Sequence, residues 1–353
     1  MAKKSSPTQG TLVVIPTYNE ENYIERCVRG LAADCDPSVS ILVVDGMSED
    51  KTVELVEALK DEFPNLNIIN NPKRLQSAAV NLAAEHYSHF DTGYLVRCDA
   101  HSIYPKNFVS KVVTRLDEVG SASVVVPMDA VGETCFQKAN AWIVDTPLGS
   151  GGAAHRGGKR SGYVDHGHHA GFDLQWFRKV GGYDETFSHN EDAEYDHRVA
   201  ESGGLIYLDA DSRIGYVPRG SIGSLWRQYV NYGKGRARTT FKHGKALKLR
   251  QMLPVILVIG LVTSILAGFF HPLLMLPAYL YLLTLVGVSI YMTYTKRSTC
   301  GLWTGLILAS MHIGWGMGFL SQLLKSKFAR SDNRAHDLIA EAGKADKSET
   351  KQL

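Results

Sequence analysis

The sequence predicts an α/β fold, a mostly parallel sheet flanked by helices, followed by a C-terminal membrane-associated helical region. Three observations carry this. Short apolar runs alternate with segments of helical periodicity over residues 11–98, the pattern of a parallel sheet covered on both faces. Asp211 is the last acidic residue before Asp332. Within that interval lie three long apolar stretches, 252–270, 273–294 and 301–324, each able to cross a hydrocarbon layer of about 30 Å.

TLVVIPTY (11–18) reads as a buried strand, and the segment after it places Ile24, Cys27, Val28 and Leu31 at helical spacing. ILVVD (41–45) is a second strand. GMSED turns the chain, Asp50 can cap, and the next helix presents Leu55, Val56, Leu59 and Phe63 before Pro64. LNIIN (66–70) is a third strand, followed by a helix with Leu75, Ala78, Ala79 and Leu82 on one face; YLVRC (94–98) is a fourth. Sheets of this kind bind ligands beyond the carboxyl ends of their strands. Thr17 to Glu20, Asp45, Lys73 with Arg74, and Asp99 with His101 stand at those four ends. No GxGxxG or GxxxxGK follows the first strand, which weakens dinucleotide and P-loop readings.

The chain divides into an α/β domain (1–218), a basic juxtamembrane segment (219–250), a membrane region of two or three segments (251–328) and a polar tail (329–353). The net charge of +2 averages a mixed first part with a basic, aromatic 219–250 that contains no acid. Such a segment belongs against anionic lipid or phosphate, so membrane lipid is the expected partner and nucleic acid is not. Lys and Arg flank every apolar stretch, so the positive-inside rule cannot satisfy three full spans. Either the tail lies outside despite its charge, or the third segment, with Gly301, Gly305, Gly314, Gly316 and Gly318, lies in-plane or re-enters. MAKKSSPTQG has no apolar signal core, so the first domain is expected in the cytosol. Five cysteines without a CxxC pair fit a reducing compartment and argue against zinc or a disulfide framework.

Asp99 and His101 lie two apart where an extended chain leaves the sheet, so a bend lets both face one divalent ion, with diphosphate oxygens and water completing its shell. The plainer alternative makes Asp99 a turn cap before Pro105 and His101 a surface residue. In HNEDAEYDHRV, Glu191, Asp192, Glu194 and Asp196 open a helix, where acids favour the dipole; one of them can instead deprotonate a hydroxyl nucleophile. Residues 149–173, rich in Gly, Arg, Lys and His, read as a mobile loop closing over an anionic ligand. HGHH suggests zinc, but no cysteine is near and adjacent histidines in an extended segment point opposite ways. A polar loop lining an acceptor site, with His168, His169 and Glu191 beside it, is expected.

VVIPTYNEENYI, VVDGMSEDKT, RCDAHSIYP and FRKVGGYDETFSHNEDAEYDHRV, in that order over about residues 10–215, resemble the family 2 glycosyltransferases with the Rossmann-like GT-A fold. The basic segment and apolar tail resemble the membrane-attached ExoA-type subgroup. The resemblance implies that Pro16, Tyr18 and Glu20 border a nucleoside, that Asp45 contacts uracil, and that Arg74 and Asn81 line the nucleotide pocket. Asp99 matches the first carboxylate of the family's DxD motif, and His101 departs from it, so Mn²⁺ is expected to serve at least as well as Mg²⁺. Asp192, in the NED triplet, matches the catalytic base. Gln228, Tyr229, Gly233, Lys234 and Arg236 occupy the place of a QxxRW motif that gates the donor diphosphate, with a different spelling. The other reading of that stretch is an interfacial helix with Leu225, Trp226, Tyr229 and Tyr232 among lipid headgroups.

The resemblance implies an inverting, metal-dependent hexosyltransferase of the inner membrane, its catalytic domain cytosolic. The expected donor is a UDP-sugar, with glucose as the hexose. The expected acceptor is a hydroxyl of a lipid-linked saccharide in exopolysaccharide biosynthesis. The alternatives are a polyprenyl-phosphate glycosyltransferase, whose acceptor is already ionised, and a catalytically silent membrane scaffold.

Overall fold

The computed structural model describes residues 10–86, 93–152, 159–244 and 248–349, with side chains in the last stretch through 326. The chain forms two compact units, Met1–Ser224 with Leu282–Leu308, and Leu225–Tyr281 with Ala309–Leu353.

The first unit begins with regular alternation: β1 (Thr11–Thr17), α1 (Ile24–Asp34), β2 (Ser40–Asp45), α2 (Thr52–Leu59), β3 (Leu66–Asn70), α3 (Gln76–His86) and β4 (Tyr94–Arg97). It continues with β5 (Ser102–Ile103), α4 (Phe108–Val119), β6 (Ser123–Val126), β7 (Met128–Ala130), α5 (Cys135–Val144) and α6 (Pro147–Ser150). Then come β8 (Gly162–Val164), β9 (His168–Asp173), α7 (Leu174–Lys179), α8 (Glu191–Glu201), β10 (Ile206–Leu208) and β11 (Ile214–Tyr216).

The main sheet has the order β3-β2-β1-β4-β9-β6-β10-β8. Its first four strands are parallel, as expected, and β9 is inserted antiparallel between β4 and β6. A second, three-stranded sheet has the order β5-β11-β7. Alternate residues of β1 point to opposite faces: Val13 and Ile15 join one buried cluster with α1, α2 and α4, and Leu12 and Val14 join another with α3, Phe172 and Tyr195. Both faces are therefore dry, which is why these strands read as continuous apolar runs.

One expectation fails here. Residues 162–164 and 168–173 are not a loop, because they form β8 and β9, and β9 is central to the sheet; residues 153–158 of the expected loop lie outside the described residues. Long-range pairing with β4 and β6 overrides the weak strand preference of HHAGFD. Gly171 makes room for this: a Cβ there would stand 2.4 Å from Val112 Cγ1 and 3.0 Å from Leu116 Cδ1 of α4.

The expectation that the cysteines form no disulfide also fails. Cys135 and Cys300, 165 positions apart, form a disulfide. It joins α5 to the short 3-10 turn Thr299–Trp303, where Phe136 meets Trp303 edge-on at 5.6 Å and Lys296 sits over Trp142. The connection between the second and third apolar helices thus packs on the α/β domain.

The remaining helices are α9 (Ile222–His243), α10 (Leu249–Gly268), α11 (Leu276–Thr295) and α12 (Thr304–Glu349). Among the described residues, three segments, Leu249–Gly268, Pro272–Thr295 and Thr299–Ser326, are long and apolar enough to cross a membrane. α12 runs unbroken through its glycines and through 329–349, so the third segment is not a re-entrant hairpin. Its glycines are contact points instead. A Cβ on Gly318 would lie 2.1 Å from the Val230 carbonyl oxygen of α9, and one on Gly316 would lie 2.4 Å from that of Pro254 in α10. Small residues let helix backbones approach where lipid offers no hydrophobic drive.

Candidate active site

The site grows from the carboxyl ends of β1, β2 and β4, adjacent in the sheet. The turn after β1 is tied to the turn after β2: Asn19 N donates to Ser48 Oγ (2.8 Å), Glu49 N to Asn19 Oδ1 (2.8 Å) and Glu20 N to Thr52 Oγ1 (2.8 Å). Asp45, 1 % exposed, accepts from Ser48 N at 2.9 Å and from its hydroxyl at 2.5 Å. Asp50 accepts from Thr52 N at 3.0 Å as α2 begins. Tyr18 is exposed, and the Arg74 guanidinium lies 5.7 Å from its ring centre. Pro16 lies within β1, opposite Val44.

His101 Nδ1 meets Glu20 Oε1 at 2.8 Å, which joins the turn after β4 to that after β1. Asp99 Oδ1 accepts from Gln76 Nε2 at 2.8 Å, and Asp99 Oδ2 faces His168 Nε2 at 3.7 Å. Among the described residues, Asp99 Oδ2 and His101 Nε2 carry no hydrogen bond; they are the carboxylate oxygen and imidazole nitrogen that a divalent cation can use.

Sequence reasoning passed over the residue that organises the centre. Arg97, at the end of β4 with its side chain 3 % exposed, places Nε 3.3 Å from Asp99 Oδ1 and Nη1 3.0 Å from Asp192 Oδ1. One buried guanidinium therefore bridges Asp99 and Asp192, which the sequence separates widely. The signal was present, since an arginine inside the apolar run YLVRC must find carboxylates. Among the described residues, Nε meets no acceptor in hydrogen-bond geometry, so its hold on Asp99 is an ion pair only.

Asp192 stands in the first turn of α8, where the helix dipole favours it. Its Oδ1 accepts from Arg97, from the Tyr183 hydroxyl at 2.8 Å, and lies 3.2 Å from His169 Nδ1. Burial opposes the charge on Asp192, but Arg97, His169 and His168 outweigh it and hold the carboxyl well below the usual range. Asp99 behaves alike: burial raises it, and Arg97, His168 and His101 bring it below its ordinary value. Glu191, 8 % exposed, forms no ion pair among the described residues, and burial together with Asp192 pushes it up to about 7 against the attraction of Arg97.

The acids of α8 do not share one role. Glu194 receives Arg198, whose Nη2 also donates to Gly182 O at 2.7 Å, fixing the turn that carries Tyr183. Gly182 has φ +64°, and a Cβ there would lie 2.5 Å from Asn81 Oδ1, so the GG pair is required. Asn81 is a staple of this turn: it donates to Tyr183 O (2.8 Å) and Glu185 Oε1 (3.0 Å) and accepts from Tyr183 N (2.8 Å). Lys73 pairs with Glu185 beside it. His168 lies 3.5 Å from Arg97 Nη2, and His169 is wholly buried. Lys234 and Arg236 belong to α9, a continuous helix, and lie in the second unit.

Comparison with known proteins agrees with this architecture. The family model described as Glycosyl transferase family 2 matches residues 12–181. The chain is 36% identical over 325 residues to the succinoglycan biosynthesis protein ExoA of Rhizobium meliloti, covering 92% of this chain and 98% of that one. It is 25% identical over 234 residues to the dolichyl N-acetyl-alpha-D-glucosaminyl phosphate 3-beta-D-2,3-diacetamido-2,3-dideoxy-beta-D-glucuronosyltransferase of Methanococcus voltae, covering 64% and 72%. Among solved structures, the mannosyltransferase PcManGT of Pyrobaculum calidifontis, in complex with GDP-Man and Mn²⁺, superposes with a TM-score of 0.56 at 17% identity, covering 90% of this chain and 88% of that one. The fold expected from the four motifs is the fold observed.

Proposed function

The chain belongs to glycosyl transferase family 2, and from that premise we propose that it moves a hexose, glucose first among candidates, from a UDP-sugar to a hydroxyl of a polyprenyl-diphosphate-linked saccharide. The reaction serves exopolysaccharide biosynthesis at the cytosolic face of the inner membrane. The observation that carries this is Arg97 between Asp99 and Asp192, since it draws the motif acid of the donor side and the acid of the NED triplet to one cation.

Asp192 takes the acceptor proton. The freed oxygen attacks the anomeric carbon, the bond to the diphosphate breaks, and UDP departs with the electron pair, inverting the α-linked donor to a β-linked product. A diphosphate beside Arg97 competes for the guanidinium, which raises the proton affinity of Asp192 as the donor binds. Asp99 and His101 would hold the Mn²⁺ or Mg²⁺, which supplies positive charge to the leaving diphosphate. Asp45, Tyr18 and Glu20 border the nucleoside, and Pro16 and Arg74 complete that edge; His168 and Glu191 lie on the acceptor side. The Rhizobium relative's name supports a polysaccharide pathway. The Methanococcus relative's name describes a 3-β transfer onto a lipid-linked sugar, an acceptor that offers a hydroxyl.

The test incubates purified protein with a panel of nucleotide sugars and a lipid extract, with and without EDTA. Extract-dependent UDP release, lost in EDTA and restored by Mn²⁺, with a product stable to mild acid, is expected. An acid-labile product would indicate a phosphate acceptor, and no release from any donor would indicate a scaffold.

A further inference from the structure

Behind Asp192 lies a line of buried groups that this chemistry leaves unused. His169 on β9 has Nδ1 2.9 Å from the Tyr183 hydroxyl and 3.2 Å from Asp192 Oδ1, and Nε2 2.7 Å from Asp196 Oδ1. Asp196 turns its other oxygen to His166 Nδ1, also at 2.7 Å, and the His166 side chain is 26% exposed. Asp192 and Asp196 are four apart on α8 and share a helix face, so the His169 ring fits between their carboxylates. The rings of Phe172 and Tyr195, at 4.9 and 5.3 Å, wall it in. The result is a carboxylate–imidazole–carboxylate–imidazole chain from the site toward the surface.

A buried ion network adds little stability by itself, and this one has a directional feature. Arg97, Tyr183 and His169 all address Oδ1 of Asp192. We propose that His169 is a positioning residue: with Arg97 and Tyr183 it fixes Oδ1 of Asp192 so that Oδ2 faces the acceptor, while Asp196, oriented by His166, sets the His169 ring. This rests on the reading of Asp192 as base.

The groups facing His169 are Tyr183 from the turn after α7, Asp192, Tyr195 and Asp196 from α8, and Arg97 from β4, next to Asp192. Burial works against a charged ring, and Asp196 and Asp192 outweigh it, raising the His169 pKa to about 9. Both ring nitrogens donate below that pH, and one donor is lost above it, so turnover falls as pH rises through about 9. Asp196→Asn removes a carboxylate that sustains the charge, and His169→Gln removes the titration.

The experiment measures kcat and KM against pH for the full-length protein with UDP-glucose, or the donor that the panel returns, and lipid extract. It compares the wild type with Asp196→Asn, His166→Gln, His169→Gln and Asp192→Asn, with UDP binding as the check of folding. Asp196→Asn is expected to lower kcat about tenfold, to leave KM for the donor unchanged, and to move the alkaline fall toward neutrality; His169→Gln abolishes that fall. Should Asp196→Asn not fold, His166→Gln, at a partly exposed site, moves the fall the same way by less. An alkaline fall unmoved in these variants and retained in His169→Gln overturns the proposal while Asp192→Asn stays inactive. Near-normal turnover in Asp192→Asn overturns the base reading and this inference together.

Discussion

Arg97 donates from Nη1 to Oδ1 of Asp192 across 3.0 Å, although 95 positions separate the two residues. The guanidinium is buried with two carboxylates for company, so its removal leaves like charges facing each other out of water. Arg97→Met is expected to destabilise the protein by about 3–5 kcal/mol, read by thermal unfolding in detergent. Arg97→Lys keeps the charge but not the fork, and is expected to recover part of that stability and bind UDP more weakly than the wild type.

The charges of the site fix how stability varies with pH. His169 is raised from 6.5 to about 9, so its contribution is complete below pH 6.5 and is lost as pH rises through about 9. Glu191 is raised from 4.5 to about 7, and its cost grows over that interval. Asp99, Asp192 and Asp196 lie below their ordinary 3.8, so their contribution is present above 3.8 and lost as pH falls through the lowered values. Thermal unfolding across pH is expected to show a maximum between 3.8 and 4.5, a first decline as Glu191 ionises toward about 7, and a further decline into the alkaline range that His169→Gln lessens. A profile flat from neutral to alkaline pH contradicts these assignments.

The half of the sheet from β1 to β4 was legible because each βα unit is local: an apolar run, a turn signal, then helical spacing. Asp45, Asp99 and Asp192 could be picked out because they stand at strand ends or in a motif. β9 was not legible. HHAGFD becomes a strand only through pairing with β4 and β6, and glycine and histidine suggest a loop. Arg97 gave a readable signal, and only the question of its partners was missing. Asp196 and His166 stood out as an acid of a helix start and a histidine of HGHH, but their pairing through His169 exists only once α8 lies beside β9. The glycines of α12 left two arrangements open in the sequence, because their role as packing contacts, Gly305 with α11, Gly314 and Gly318 with α9 and Gly316 with α10, exists only once the helices lie together.

The disulfide gives a prediction independent of catalysis. Peptide mapping without reductant is expected to recover Cys135 linked to Cys300, with Cys27 and Cys98, both buried, shielded from maleimide until unfolding. Cys300→Ser is expected to cost about 2–5 kcal/mol in the same unfolding assay. Free, rapidly labelled thiols at 135 and 300 in the folded protein would contradict the pairing.

Packing of α4 on β9 is tested at Gly171, where a side chain has no room beside Val112 and Leu116. Gly171→Val is expected to destabilise the fold by about 1–3 kcal/mol or more, read as a lowered unfolding temperature. Wild-type stability in that variant would mean that α4 does not close over the strand.

Asp192→Asn keeps the shape of the side chain and removes its ability to take a proton. Turnover of a UDP-sugar by this variant, measured beside its affinity for UDP, is the direct test of how the site works. A fall in kcat of about 10²–10⁴-fold with UDP affinity nearly unchanged is expected. Near-normal turnover with intact UDP binding would show that the acceptor proton goes elsewhere and that Asp192 is not the base.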